Sequence, residues 1–289
     1  MSVDIELKHE FLVGIDSDGC AFDTMEVKHK ECFIPNTINS YELQAVSKYA
    51  REAAEFVNLY SKSRGINRFP ALIETLQWLQ RRPDVKARGV RIEIPQGLVD
   101  WMASETKLGN PALTAAVETS GDPHLRQALE WSIAVNDAVE RIVRGVPPFP
   151  RVRECLERMA ENADLLVVSA TPNDALQREW DEHGLATHVT AICGQETASK
   201  KESLAVAKKY QPNHTLMIGD APGDHNAAMA NSALFYPINP GAEEASWQGL
   251  LDEGIERFFA GTFAGAYQQR LLEEFDAYLP ETPPWPVDD

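Results

Sequence analysis

Short apolar runs, each stopping at a polar residue, punctuate this chain. Residues 11–15 run into Asp16, 165–168 into Ser169, 216–218 into Gly219 and Asp220, and 233–238 into Asn239, Pro240 and Gly241. A weaker run, 189–193, precedes Gly194. Unbroken apolar runs of this length suit parallel strands covered on both faces, where side chains pointing either way meet other apolar groups. Helical patterns fill the gaps at 150–160, 174–183 and 222–231. Ser199-Lys200-Lys201-Glu202 has the S-x-x-E form of a capping box, which predicts a helix start there. Strand alternating with helix predicts a doubly wound, Rossmann-like α/β sheet. Ligands on such sheets bind beyond the carboxyl ends of the strands, where Asp16, Ser169 and Asp220 fall.

The interval between the first two strands is far longer than the dozen or so residues that a crossover requires. Its pattern is helical nearly throughout. Leu43, Val46, Ala50, Ala53 and Val57 recur at helical spacing, and Pro70 opens a second run with Leu72, Ile73, Leu76 and Leu79 apolar. Asp122-Pro123 starts a long helix to Arg144, where Gly145 is placed to end it. The expected organisation is an α/β core of 1–23 and 148–289 with an all-helical domain, 24–147, inserted in it. Prolines 280, 283, 284 and 286 mark 280–289 as an extended or loosely docked tail. Trp78, Trp101 and Trp131 lie in amphipathic helical stretches and are expected in the core.

Charge narrows the function. A net charge of −17 repels nucleic-acid backbones and anionic membranes, and the Arg81-Arg82 and Lys200-Lys201 pairs are too short to offset it. Cys20, Cys32, Cys155 and Cys193 show no CxxC spacing, so reduced thiols are expected rather than disulfides or zinc. Residues 1–10 lack an apolar signal core, and no apolar run approaches the ~20 residues of a membrane span. The expectation is a cytoplasmic protein, monomer or homodimer, acting on a small molecule.

The strand ends carry the candidate chemistry. In Asp16-Ser17-Asp18-Gly19 the first carboxylate could attack an electrophile, and the second, crowded by like charge, could donate a proton. Alone, the segment reads more readily as an Asx-turn at a strand end, which is common for Asp-Gly sequences. Gly219-Asp220-Ala221-Pro222-Gly223-Asp224 adds two more acids after another strand. Carboxylates gathered in one crevice repel by about 4 kcal/mol per pair at 4 Å and an effective dielectric of 20. Mg²⁺, which takes a few carboxylates together with substrate phosphate, removes that repulsion. The Ser169 hydroxyl and the neighbouring backbone N–H groups, Ala170 included, could hold phosphate oxygens. Lys200, or Lys201 beside it, could supply the cation. His225, next to Asp224, is expected to be structural.

Taken in order, Asp16-Ser17-Asp18-Gly19, Ser169, Lys200 and Gly219-Asp220-x-x-x-Asp224 resemble the four motifs of the haloacid dehalogenase-like superfamily. The resemblance covers about 1–23 and 148–240 and makes the helical insertion similar to that superfamily's C1-type cap. It implies a phosphatase in which Asp16 forms an aspartyl-phosphate and Asp18 protonates the leaving group, then deprotonates water. It implies Ser169 and Lys200 on the phosphoryl oxygens, and Mg²⁺ held by Asp16, the Asp18 carbonyl and Asp220, with Asp224 close by. An acid at Asp18 favours phosphate esters over the halide and phosphonate substrates of relatives that lack it. The sequence departs from many members at Cys20-Ala21, where Thr-Leu or Val-Leu is common. Arg64, Asn67 and Arg68, the most cationic connection in the insertion, are candidates for reading the leaving group. A phosphomutase with the same residues, or a non-catalytic binding protein on this fold, are the alternatives.

Overall fold

The computed structural model describes residues 5–288; residues 1–4 and 289, parts of the expected core and tail, lie outside it. The strands are β1 (Phe11–Ile15), β2 (Ala163–Val168), β3 (Ala191–Cys193), β4 (Thr215–Gly219) and β5 (Leu234–Pro237). They form a five-stranded sheet in the order β3-β2-β1-β4-β5, with every pairing parallel. The apolar runs split by the two-residue period of a strand. Val13, Ile15, Leu165, Val167, Leu216 and Ile218 enter one hydrophobic core. Leu12, Leu166, Val168, Met217 and Phe235 enter another on the opposite face. The fold is therefore an α/β Rossmann-like sheet covered on both sides.

After β1 the chain steps to β2 and β3 on one side, then crosses to β4 and β5 on the other. The order thus reverses at β1, the switch point where α/β sheets open a crevice. Ile15 is level with Val167 on one neighbour and Ile218 on the other, so the residues that follow these strands emerge together. Gly14 is required by packing: a Cβ there would stand 2.9 Å from Met217 Sδ and 3.0 Å from Leu204 Cδ1.

The chain divides into two compact units. One joins the described residues up to Met25 with Gly145–Leu279; the other joins Glu26–Arg144 with residues 280–288. In the first unit the ends of the insertion run side by side, with Phe149 N–H donating to the Ala21 carbonyl at 2.9 Å. Helices Glu243–Gly249, Ile255–Phe259 and Ala266–Tyr278 complete it, bringing Trp247, Phe258 and Phe275 to the cores.

In the helical unit, Ala50, Ala53 and Val57 line the buried face of helix Ser47–Leu59, while Leu43 and Val46 are buried just before it. The second helix spans Arg68–Gln80 and is capped by Asn67, whose side chain accepts from Phe69 N–H. Pro70 therefore sits inside its first turn, not before it, where its missing N–H would have no intrahelical partner anyway. Asp122 caps Pro123–Ile142 as expected, accepting from His124 N–H at 2.7 Å. Trp101 and Trp131 are buried in this unit's core, with Trp78 packed against it.

The C-terminal segment is extended, with no helix or strand over 280–288, and it is held by specific partners rather than loosely docked. Asp288 N–H donates to the Arg81 carbonyl at 2.8 Å, the Asp288 carbonyl accepts from Arg81 Nε at 3.1 Å, and the Asp288 carboxylate meets Lys86 at 2.8 Å. Arg82, 5% exposed, lies between the Tyr49 and Trp285 rings at 4.4 and 4.6 Å and pairs with Glu52 and Asp84. A proline-stiffened segment loses little entropy on docking, and a desolvated arginine gains from two aromatic faces. Among the described residues no helix is long and apolar enough to cross a membrane. Trp285→Ala is expected to lower the free energy of unfolding by about 2 kcal/mol, read by urea denaturation, through loss of ring packing and cation–π contact.

Candidate active site

The first loop begins as a one-residue extension of the sheet, with Asp16 N–H donating to the Ile218 carbonyl at 3.0 Å. It then turns back tightly: the Ser17 carbonyl accepts from Ala21 and Phe22 N–H at 2.9 and 3.0 Å, and Gly19 N–H donates to Phe22 O at 2.8 Å. Gly19 has φ +75°, a left-handed conformation that side chains disfavour. Ser17 N–H donates to Asp16 Oδ1 at 2.8 Å and orients that carboxylate. The Ser17 hydroxyl is fully buried; it accepts from Trp180 Nε1 at 3.0 Å and donates to Glu179 Oε2 at 3.1 Å. Cys20 lies beneath, its thiol donating to Ile218 O at 3.7 Å, and burial pushes its pKa well up, so it packs as an inert group.

Asp18 is half-buried, and its two oxygens accept hydroxyls from different segments: Thr24 on Oδ1 and Thr171 on Oδ2, the latter at 2.5 Å. Ser169 follows β2, its N–H continuing the ladder to Cys193 O at 2.9 Å. Its side chain is buried and accepts from Thr171 N–H at 3.2 Å; Ala170 beside it is exposed. Thr171 and the Ser17–Trp180–Glu179 contacts were not foreseen from the sequence. A hydroxyl two residues beyond Ser169 is the one signal that could have pointed to Thr171.

The cationic group comes from the predicted capping box. Ser199 N–H donates to Glu202 Oε2 at 3.0 Å, while Ser199 Oγ accepts from Glu202 N–H at 3.3 Å. That start aims Lys200 inward, and Lys201 is exposed. Lys200 Nζ donates to Asp16 Oδ2 at 2.6 Å and Asp224 Oδ1 at 2.7 Å. Asp224 is fixed in turn by accepting from Ala221 N–H at 3.1 Å. Gly219 permits this approach, since a Cβ there would stand 2.4 Å from the Asp224 Cβ.

Asp16, Asp220 and Asp224 are 4%, 1% and 0% exposed, and each offers an oxygen within 4.8 Å of the others'. Burial is the largest influence on Asp16 and raises its pKa; Lys200 opposes this, and Asp224 and Asp220 add to it, leaving it well above the ordinary carboxylate range. For Lys200, burial disfavours the charge, but Asp16, Asp224 and Asp220 outweigh it and hold the ammonium firmly protonated. One lysine set among three acids leaves the cluster short of positive charge. Hard carboxylate oxygens at this spacing fit a Mg²⁺ ion, which would supply the missing charge.

The candidates in the helical unit have partners there. Arg64 is 3% exposed and donates to the Leu59 carbonyl at 2.7 Å, satisfying the end of helix Ser47–Leu59. Asn67 is exposed, caps its helix and donates to Leu108 O at 2.9 Å. Arg68 donates to Ser132 Oγ at 2.9 Å and Asn136 Oδ1 at 2.7 Å, and burial lowers its pKa to about 10. His225 packs against the Phe235 ring.

A family model described as haloacid dehalogenase-like hydrolase matches residues 104–235, a span that holds Ser169, Lys200, Asp220 and Asp224. No curated protein matches the sequence. Similar solved structures include a predicted phosphoglycolate phosphatase from Haemophilus somnus, 19% identical over 80% of this chain and 86% of that one, with a TM-score of 0.40. A haloacid dehalogenase-superfamily hydrolase from Geobacter sulfurreducens is 14% identical over 81% of this chain and 90% of that one, with a TM-score of 0.37. Likeness this distant says nothing about what this chain acts on. The family model thus matches the part of the chain that holds the later strand ends, where Lys200 and the carboxylates of Asp220 and Asp224 are assembled, and there the chain is similar to haloacid dehalogenase-like hydrolases.

Proposed function

We propose that this protein is a Mg²⁺-dependent phosphatase that hydrolyses a small phosphorylated metabolite through an aspartyl-phosphate on Asp16. The observation that carries the reading is the contact of Lys200 with Asp16 and Asp224 beside Asp220, all at the carboxyl edge of the sheet. A charged lysine amid an excess of acids suits a site that receives a cation and then a phosphate dianion.

In the first step an Asp16 carboxylate oxygen attacks phosphorus, and the bond from phosphorus to the ester oxygen breaks. Asp18 gives its proton to the departing alcohol oxygen. In the second step Asp18, now ionised, takes a proton from water as the water oxygen attacks phosphorus, and the Asp16 oxygen leaves with inorganic phosphate released. Lys200, Ser169 and the Ala170 N–H orient and offset the phosphoryl oxygens, since phosphoryl transfer depends mostly on positioning and charge. Asp16, Asp220, the Asp18 carbonyl and Asp224 would hold Mg²⁺, which when bound supplies positive charge facing the phosphoryl group.

Asp16→Asn is expected to cut turnover of p-nitrophenyl phosphate by roughly 10³-fold or more while leaving the melting temperature close to that of the wild type. Wild-type turnover in that variant would remove the nucleophile assignment. Mg²⁺ at about 100 times its Kd is expected to raise unfolding stability by about 2.7 kcal/mol, and Asp220→Asn to abolish that rise in thermal denaturation. Full activity after exhaustive EDTA treatment and dialysis would refute the metal requirement.

A further inference from the structure

Asp16 and Asp18 are two residues apart, yet their carboxylates are held by different means. Asp16 is oriented by Ser17 N–H and Lys200. Asp18 takes hydroxyl donors, from Thr24 on one oxygen and Thr171 on the other. The two threonines are not equivalent. Thr24, six residues on, opens the helix Thr24–Val27 that follows this loop directly, so its bond to Asp18 is a local one within one stretch of chain. Thr171 approaches from 153 residues away in the chain, on the loop that leaves β2.

That loop is itself braced. Thr171 N–H donates to Ser169 Oγ at 3.2 Å, and the Thr171 carbonyl accepts from Gln195 N–H at 2.9 Å. Asn173 Oδ1 accepts from Gly194 N–H at 2.7 Å and from Thr197 Oγ1 at 3.2 Å. Gly194 passes so close that a Cβ would stand 2.5 Å from both the Thr171 carbonyl oxygen and Asn173 Oδ1. The loops after β2 and β3 are thus locked together behind Thr171. Its β-branch further limits the rotamers open to the hydroxyl.

We propose that Thr171 is a positioning residue for Asp18, its hydroxyl tying the proton-transfer carboxyl to the Ser169 strand end so that the two keep a fixed separation. The proposal rests on Asp18 acting as acid and base in the reaction above. A hydroxyl suits that task because it can either donate to a carboxylate or accept from a carboxylic acid, whereas an ammonium can only donate. A small misplacement of a proton-transfer group slows chemistry without weakening substrate binding.

Thr171→Val keeps the shape and removes the hydroxyl; Thr171→Ser keeps the hydroxyl and removes the methyl group. Crystal structures of both test the link with no assay: Asp18 is expected to turn away from its present place in T171V and to stay in T171S, with Asp16, Lys200 and Asp224 unmoved. On p-nitrophenyl phosphate with Mg²⁺, T171V is expected to lower kcat by about 10- to 100-fold with KM within about twofold of wild type, and T171S to recover most of it. An unmoved Asp18 in T171V would overturn the proposal. So would a raised KM at wild-type kcat, which would make Thr171 a substrate contact, or a T171S as slow as T171V. Displacement of Asp18 in T171V, in a protein whose wild type cleaves no phosphate ester, would support the positional link and reject the phosphatase reading instead.

Discussion

Lys200 and the carboxylates of Asp16 and Asp224 form the contact on which the site depends. Burying like charges together is costly, and each neighbouring acid makes Asp16 harder to ionise. The lysine offsets part of this with hydrogen bonds of 2.6 and 2.7 Å, and its own burial is tolerated because the acids hold it charged. Such a cluster persists only where the surrounding structure leaves the side chains nowhere else to go. The parallel register supplies that constraint, since Ile15, Val167 and Ile218 are level across three strands.

Close backbone approach does the rest. At Gly219 and Gly194 a side chain would collide with Asp224 and with the Thr171 loop respectively. At Gly19 the positive φ lets the chain double back between Asp18 and Phe22. Each glycine brings a polar group nearer than ordinary packing would allow, and the groups so placed are the ones available for chemistry. Trp180 and Trp247 reach this loop from the core, donating to the Ser17 hydroxyl and the Cys20 carbonyl. Hydrophobic packing and active-site geometry therefore share the same side chains.

The helical unit shows the same economy with a different result. Its cationic residues are spent on its own structure: Arg64 on a helix end, Arg68 on Ser132 and Asn136, and Arg82 between two rings and two acids. The charge of Arg64 and Arg68 looked available in the sequence because charge is a property of residue type, whereas the partners of the three arginines lie 2 to 203 residues away.

The sequence by itself determined the strands, because an unbroken apolar run is stable only where both faces are buried. It also placed the polar residues that follow β1, β2 and β4, the capping box at Ser199 and the cap at Asp122, all of which depend on neighbours a few residues apart. Helices between 243 and 278 were not read, since their apolar faces are irregular and a wide π-type turn at Leu250–Gly254 interrupts the period. Tertiary structure alone decided that Lys200 and not Lys201 faces the acids, that Thr171 meets Asp18, and that Trp285 docks on Arg82. Those contacts join segments far apart in the chain, and their geometry is set by strand register and close approach, neither of which leaves a local pattern to read.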